Sequence, residues 1–236
     1  IPRTVEELIQ ARLDRLPLQR RSVLQLAAVI GQVCDERVLA ALVARPDLSA
    51  DLAALVEAEL LVRHDRLGEA RYGFKHPLLQ EVTYQGTSRE RRQELHLQVA
   101  RVIERDVPES QPGRSSMLAY HYGLGRDAER AEQFLLHAGE EAGRVAASSE
   151  ALQLLQDAAR LYFELHGDRG DPERRARVER QIALAFFNRG RMVEGDEHFD
   201  RALSLLGERV PRRPWERNLR YATTIVRVLM TLYLSR

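Results

Sequence analysis

The sequence predicts a mainly α-helical protein in which a small winged-helix module with a short β-hairpin is followed by a TPR-like α-helical solenoid. Three observations lead to this fold class. Apolar residues recur at helical spacing over most of the 236 residues. The spacing changes to that of strands only around residues 61–74. Beyond residue 116, small residues recur on successive helices, as expected where paired helices cross closely.

The first half of the chain carries four predicted helices and then two strand-like runs. Each helix is bounded by a capping residue, a proline or a glycine, and the four cover Thr4–Pro17, Leu18–Ile30, Asp35–Pro46 and Leu48–Leu60. The runs Leu61–His64 and Arg71–Phe74 flank Gly68 and predict a β-hairpin. Helices followed by a hairpin are the element order of a winged helix-turn-helix.

The domain limits follow from a proline-rich and serine-rich segment in the middle of the chain. A helix restarts after Pro77, and a capping box of Thr87 and Glu90 predicts a long arginine-rich helix to about Arg105. We assign residues 1–17 to the end of a preceding helical subdomain and 18–106 to the winged-helix-like module. Residues 107–116 are predicted as a linker and 117–236 as the helical repeats.

The second half is predicted to be helical throughout, with helices near Met117–Gly123, Asp127–Val145, Ser149–Leu165, Pro172–Arg189, Val193–Leu206 and Pro214–Leu234. The stretch Arg180–Leu206 fits a TPR repeat best, with Gly190 at its turn and Gly195 on its second helix. The last helix is apolar nearly all round. We therefore expect more repeats to follow it in a longer protein, or another chain to cover it.

Composition and motifs argue against catalysis, membranes and metals. The sequence has no glycine-rich phosphate loop, HExxH or GxSxG motif, and its histidines (64, 76, 96, 121, 137, 166 and 198) lack metal-ligand spacing. No apolar run reaches the ~20 residues of a membrane span, and no signal peptide is recognisable. The single cysteine, Cys34, fits a reducing compartment. We expect a cytoplasmic, non-catalytic chain that binds no cofactor by itself.

A winged helix raises the possibility of DNA binding, which the predicted recognition helix argues against. The helix Leu48–Leu60 has no cation, and its outward positions are predicted to include Ser49, Asp51, Glu57 and Glu59. Carboxylates that face phosphates weaken binding to DNA. The hairpin does carry Arg63, Arg66, Arg71 and Lys75, so weak contact with a phosphate backbone stays open. Sequence-specific DNA binding is not expected.

Several segments of the sequence together resemble the region after the ATPase core in bacterial STAND signalling ATPases. They are residues 1–9, 12–17 (RLDRLP), 26–33 (LAAVIGQV), 74–84 (FKHPLLQEVTY), 91–96 (RRQELH), 118–122 (LAYHY) and 127–131 (DAERA). The resemblance covers about the first 160 residues. It is to large proteins that join an AAA-type ATPase to a TPR-like array, often with a class III adenylate or guanylate cyclase. LuxR-type transcription regulators and some serine/threonine kinases share the arrangement.

The resemblance implies a role for the module as a nucleotide-dependent switch. In STAND proteins the winged helix folds over the nucleotide-binding domain, and a histidine near its end contacts the nucleotide phosphate. His76 lies at the matching place, so the resemblance implies that it contacts ADP or ATP held by the parent protein. Alternatively, His76 caps the helix after Pro77 or packs under the hairpin. The Walker motifs of the family are absent from this chain, so an upstream nucleotide-binding domain in cis would have to hold the nucleotide.

The sequence therefore predicts a regulatory or sensor region of a multidomain signal-transduction ATPase. The winged helix would be the switch, and the repeats would bind a protein or peptide ligand. A winged-helix transcription regulator with a helical effector domain is one alternative. A plain TPR adaptor is another, although it leaves the first 106 residues without a role.

Overall fold

The computed structural model describes residues 4–66, 69–145 and 147–208, and the predicted helix Pro214–Leu234 lies outside them. The described residues form eleven α-helices, a short 3-10 helix and three β-strands, which confirms the mainly helical prediction. The chain divides into two compact units, one of residues 1–138 and one that begins at Gly139. The functional domain limits proposed from the sequence stay a prediction.

The helices of the first unit are α1 (Val5–Asp14), α2 (Leu18–Ile30), α3 (Glu36–Val43), α4 (Leu48–Glu57), α5 (Pro77–Gln85), α6 (Arg89–Asp106) and α7 (Arg114–Leu124). Helix α8 (Ala128–Arg144) begins in this unit and ends in the second. The second unit continues with α9 (Ser148–His166), the 3-10 helix Gly167–Arg169, α10 (Pro172–Asn188) and α11 (Met192–Leu205). None of these helices is long and apolar enough to cross a bilayer.

The three strands form one antiparallel sheet in the order β1-β3-β2, with β1 at Val33–Asp35, β2 at Leu61–Arg66 and β3 at Glu69–Phe74. The sequence predicted the β2–β3 hairpin but not β1, which is three residues long. In the register, Cys34 opposes Tyr72 and Leu61 opposes Phe74. These four side chains are buried, so one face of the sheet packs against the core and the other faces solvent.

Helix α2 lies at the centre of the first unit, where it packs against α3, α4, α5 and α6. Its last turns are buried almost without interruption from Val23 to Val29. Its limits match the prediction, because Pro17 precedes its first residue and Gly31 follows its last. Helix α5 packs against α2, and this contact places the start of α5.

One predicted capping box is wrong. Helix α6 is capped by Ser88, whose hydroxyl oxygen accepts a hydrogen bond from the Arg91 backbone N–H at 3.3 Å. The Thr87 hydroxyl instead donates to the backbone carbonyl of Thr83 at 3.0 Å, in the last turn of α5. Serine and threonine are both preferred N-cap residues, so adjacent residues of these types leave the start of a helix ambiguous by one position.

In the second unit, helices α9, α10 and α11 pack in sequence order. Small residues lie where these helices approach one another, as the repeat pattern predicted. A Cβ on Gly195 of α11 would overlap the ring of Phe187 on α10, and Ala183 and Ala202 are buried. Gly190, at the turn between α10 and α11, has a φ of +74°, which favours glycine.

Candidate functional site

His76, the residue singled out by the sequence, lies between the end of β3 and the start of α5. It occupies the N-cap position of α5, with Pro77 as the first helical residue, and its backbone is extended (φ −139°, ψ 141°). Its side chain is exposed and makes no capping hydrogen bond. In this structure the imidazole therefore neither caps α5 nor packs under the hairpin.

The backbone that presents His76 is held on both sides. Lys75 N–H donates to the carbonyl of Leu60 at 3.1 Å, and its ammonium lies 2.8 Å from a carboxylate oxygen of Glu59. On the helical side, the Gln80 amide donates to the carbonyl of Ala28 at 2.8 Å, which ties the first turn of α5 to α2. These contacts give His76 a defined position although its side chain is free to contact another molecule.

The solvent-facing side of the sheet carries a strip of small apolar residues next to His76. Val33, Gly73 and Val62 oppose one another across the three strands, and Val33 and Val62 are 53% and 36% exposed. A Cβ on Gly73 would lie 3.2 Å from Nε2 of His64 and 3.5 Å from Cγ2 of Val33. Because Gly73 has no side chain, the surface of this strip stays flat. We call Val33, Val62, His64 and Gly73 the outer sheet face.

The structure corrects the expected surface of helix α4. Asp51, predicted to point outward, is only 8% exposed. Its carboxylate lies 3.6 Å from Nε of Arg20 and 3.4 Å from Nη2 of Arg45. Because Leu48, Asp51, Leu52 and Leu55 have the spacing of one helical face, they are all buried together. Ser49, Glu57 and Glu59 are exposed as expected.

The cations of the hairpin whose side chains the structure describes are all near carboxylates. The pairs are Arg63–Asp65 at 3.0 Å, Arg71–Asp35 at 3.9 Å and Lys75–Glu59 at 2.8 Å. Binding of DNA requires cations that can neutralise phosphates and release counterions. Pairing with carboxylates reduces that capacity, so the described hairpin is a poor surface for a phosphate backbone.

The sequence did not reveal a buried histidine pair at the α6–α7 interface. Nδ1 of His96 lies 2.9 Å from Nδ1 of His121, and Nε2 of His96 lies 3.0 Å from the Tyr84 hydroxyl. The two imidazoles are 1% and 3% exposed. Burial lowers the pKa of His96 to about 4, with the nearby Arg92 a smaller cause, and lowers that of His121 to about 3, with His96 the smaller cause. Residues that meet across two helices leave no local signal in a sequence.

The neighbours of His121 on α7 divide between core and surface. Tyr122 is 1% exposed and stacks on Phe134 of α8, with ring centroids 5.7 Å apart. Tyr120 is 57% exposed and meets the His96 ring edge-on. Tyr122 and His121 thus pack between helices, and only Tyr120 is available to a ligand. Among the described residues, no cluster of three or more histidine, cysteine or acidic side chains has the arrangement of a metal site.

Comparisons with known proteins give little beyond this geometry. No family model matches the chain. A protein of Rhizobium meliloti (strain 1021), named only as uncharacterized, is 30% identical over 161 residues, which include 66% of this chain and 15% of that protein. The chain therefore corresponds to a small part of the length of this relative.

One solved structure resembles the chain weakly. It is a Signal Transduction ATPase with Numerous Domains (STAND) protein with a tetratricopeptide repeat sensor, from Pyrococcus horikoshii. The TM-score is 0.48 and the identity is 10%, over 88% of this chain and 35% of that one.

Proposed function

We propose that this chain is the regulatory region of a multidomain signal-transduction ATPase of the STAND type. Residues 18–106 would be a winged-helix switch, and the helices that follow would be a TPR-like surface for a protein or peptide. The observation that supports this proposal best is the imidazole of His76, which is exposed, makes no capping hydrogen bond and lies at a fixed place beside the outer sheet face. The chain itself would carry out no reaction.

The order of elements supports the winged-helix assignment. From α2 onward the chain runs helix, strand, helix, helix and hairpin, and the sheet order is β1-β3-β2. The first strand pairs with the second arm of the hairpin, so the whole module closes into one small core. In such a module the hairpin and the residue after it stand at one end, where a neighbouring domain can contact them.

His76 would act as the nucleotide contact of this switch. An imidazole N–H can donate a hydrogen bond to a phosphate oxygen, and a protonated ring adds a favourable charge. The upstream domain would hold the ADP or ATP, and the outer sheet face would pack against that domain beside the nucleotide. Exchange of nucleotide would then shift the module between two positions, because only one nucleotide state is compatible with the His76 contact.

The helical hairpins would supply the sensor surface. Helices α9, α10 and α11 pack on one another in sequence order, as in arrays that bind ligands along one face. A partner that binds one position of the module better than the other would shift its equilibrium by the difference in affinity. The partner is expected to be a protein or a peptide.

A test compares the ADP retained after purification of the full-length parent protein with that of two variants. His76→Ala removes the proposed phosphate contact, and we expect it to lose ADP. His137→Ala is the matched control, because His137 is also exposed but lies on α8, outside the outer sheet face. Equal retention by the wild type and His76→Ala, with both variants folded, would refute the nucleotide contact.

The alternative of a DNA-binding regulator predicts salt-sensitive binding of the 236-residue chain to duplex DNA. The carboxylates beside Arg63, Arg71 and Lys75 argue against it. Fluorescence anisotropy with a labelled duplex at two salt concentrations distinguishes the two proposals. We expect no binding at physiological salt, whereas tight binding that weakens as salt rises would favour the DNA-binding alternative.

A further inference from the structure

The segment between α6 and α7 is bridged by one buried arginine. Arg114, the first residue of α7, is 8% exposed. Its Nε donates to the carbonyl of Val107 at 2.8 Å, and its Nη2 donates to the carbonyl of Glu104 at 2.8 Å. Both carbonyls belong to the C-terminal end of α6, where they lack helical partners. One side chain thus fastens the start of α7 to the end of α6.

The Glu104 side chain joins the same helix to α7 and α8. Its Oε2 accepts hydrogen bonds from the Tyr122 hydroxyl and, at 2.6 Å, from Nη1 of Arg130. Nη1 of Arg130 also lies 2.7 Å from the Tyr122 hydroxyl oxygen. Tyr122 is 1% exposed, so its hydroxyl has no access to water as a substitute partner. We call Glu104, Arg114, Tyr122 and Arg130 the junction cluster.

Two further contacts along the same interface leave little room for movement. A Cβ on Gly125 would lie 2.7 Å from Cγ of Leu97, so α6 and the end of α7 approach as closely as a glycine allows. The hydrogen-bonded pair of His96 and His121 occupies the middle of the interface. Sliding of α7 along α6 would break these contacts together, and each buried polar group left without a partner costs about 1–3 kcal/mol.

We propose that α6, α7 and the first part of α8 form one rigid coupling element, in which residues 107–113 turn the chain but do not act as a hinge. A displacement of α8 is then passed to α6 and to α2, α3 and α5 of the module. The buried polar side chains of this element, Arg114, Tyr122 and the His96–His121 pair, all have hydrogen-bond partners, whereas Glu104 and Arg130 are 35% and 47% exposed. Buried groups connected in this way favour one arrangement over a continuum of intermediate ones. The proposal concerns the mechanics of the first unit and holds whether or not the parent protein binds nucleotide.

The experiment measures a distance across the junction by double electron–electron resonance. Nitroxide labels are placed at Glu81→Cys on α5 and Gln133→Cys on α8, which are both exposed positions. The native cysteine is removed by Cys34→Ala. We expect a single narrow distance distribution for the 236-residue chain. A broad or multiple distribution would show that residues 107–113 are a hinge and would overturn the proposal.

Two substitutions test whether the junction cluster causes the rigidity. Glu104→Gln removes the charge that Arg130 contacts, and Tyr122→Phe removes only the hydroxyl group. Both are expected to lose the single narrow distribution. Glu94→Gln removes the charge of an exposed carboxylate that contacts Arg91 and Gln98, which also lie on α6, and it is expected to keep the narrow distribution. If Glu104→Gln fails to fold by circular dichroism, Tyr122→Phe decides. A narrow distribution in a folded Tyr122→Phe variant would overturn the role of the cluster.

Discussion

The Nδ1 atoms of His96 and His121 lie 2.9 Å apart inside the α6–α7 interface, although the residues are 25 positions apart in the sequence. For this hydrogen bond to form, one Nδ1 must carry a proton and the other must accept it. Double protonation would place two buried positive charges in contact. Among the described residues, the titratable and charged groups that contact or act on the pair are the Tyr84 hydroxyl, Tyr120, Arg92 and the partner imidazole. None of them is a carboxylate that could neutralise a buried imidazolium.

The first prediction is that acid destabilises the protein through this pair. The unfolded histidines take up protons near pH 6.5, whereas burial holds the pKa of His96 to about 4 and that of His121 to about 3 in the folded protein. Below pH 6.5 the unfolded state therefore binds more protons, and the free energy of unfolding falls as the pH falls. The loss proceeds at up to about 1.4 kcal/mol per pH unit for each histidine and levels off below the folded pKa values.

Urea denaturation between pH 7 and pH 4 measures this effect. The wild type is compared with the double variant His96→Gln and His121→Gln, in which the amides can form hydrogen bonds but do not titrate. The difference in free energy of unfolding between the two proteins should change with pH. His137→Gln, at an exposed histidine of α8, is the control for the loss of a histidine side chain. Parallel curves for the wild type and the double variant would show that the pair is not buried as described.

The second prediction concerns two glycines one helical turn apart on α8. A Cβ on Gly139 would lie 2.7 Å from Cγ of Leu155 on α9, whereas a Cβ on Gly143 would meet nothing within 4 Å. Gly139→Ala is therefore expected to destabilise the protein by about 1–3 kcal/mol through overpacking. Gly143→Ala should be neutral or stabilising by up to about 1 kcal/mol, since alanine favours helix. Thermal unfolding of the two variants measures the contrast, and equal midpoints would contradict the close α8–α9 approach.

The third prediction is that Cys34 is chemically inert in the folded protein. Its side chain is 2% exposed, and its thiol donates to the carbonyl of Tyr72 at 3.3 Å. Burial raises the pKa of this thiol to about 12, so almost no thiolate exists near neutral pH. A thiol reagent such as Ellman's reagent should react only after denaturation. A control chain with Ser49→Cys and Cys34→Ala places the thiol at an exposed position and should react at once. Rapid reaction of native Cys34 would mean that β1 opens readily.

The sequence predicted the elements whose ends are marked by a distinctive residue. Pro17 and Gly31 bound α2, and the prediction for that helix agrees with the structure at both ends. Asp35 caps α3 as expected, with its carboxylate accepting from the Arg37 N–H at 3.0 Å. Strand β1 was not predicted, because three residues are too few to show the alternation of apolar and polar residues that indicates a strand. This strand forms by pairing with β3. Its Cys34 opposes Tyr72, which lies 38 residues later in the sequence.

The candidate site was predictable only in part. His76 followed from the resemblance, and its exposed position at the start of α5 is consistent with a contact to another domain. The position of Asp51 on the buried face of α4 could have been inferred from its helical spacing to Leu48 and Leu55. The histidine pair and the junction cluster could not, because the contacts of each span three helices and depend on tertiary packing.

The proposed switch requires that the module of residues 18–106 changes its contacts with the bound nucleotide. Hydrogen–deuterium exchange of the full-length parent protein, loaded with ADP or with a non-hydrolysable ATP analogue, tests it most directly. We expect peptides covering Tyr72–Gln80 and the outer sheet face to exchange slowly with ADP and faster with the analogue. Identical exchange of these peptides in the ADP, analogue and nucleotide-free states would contradict it.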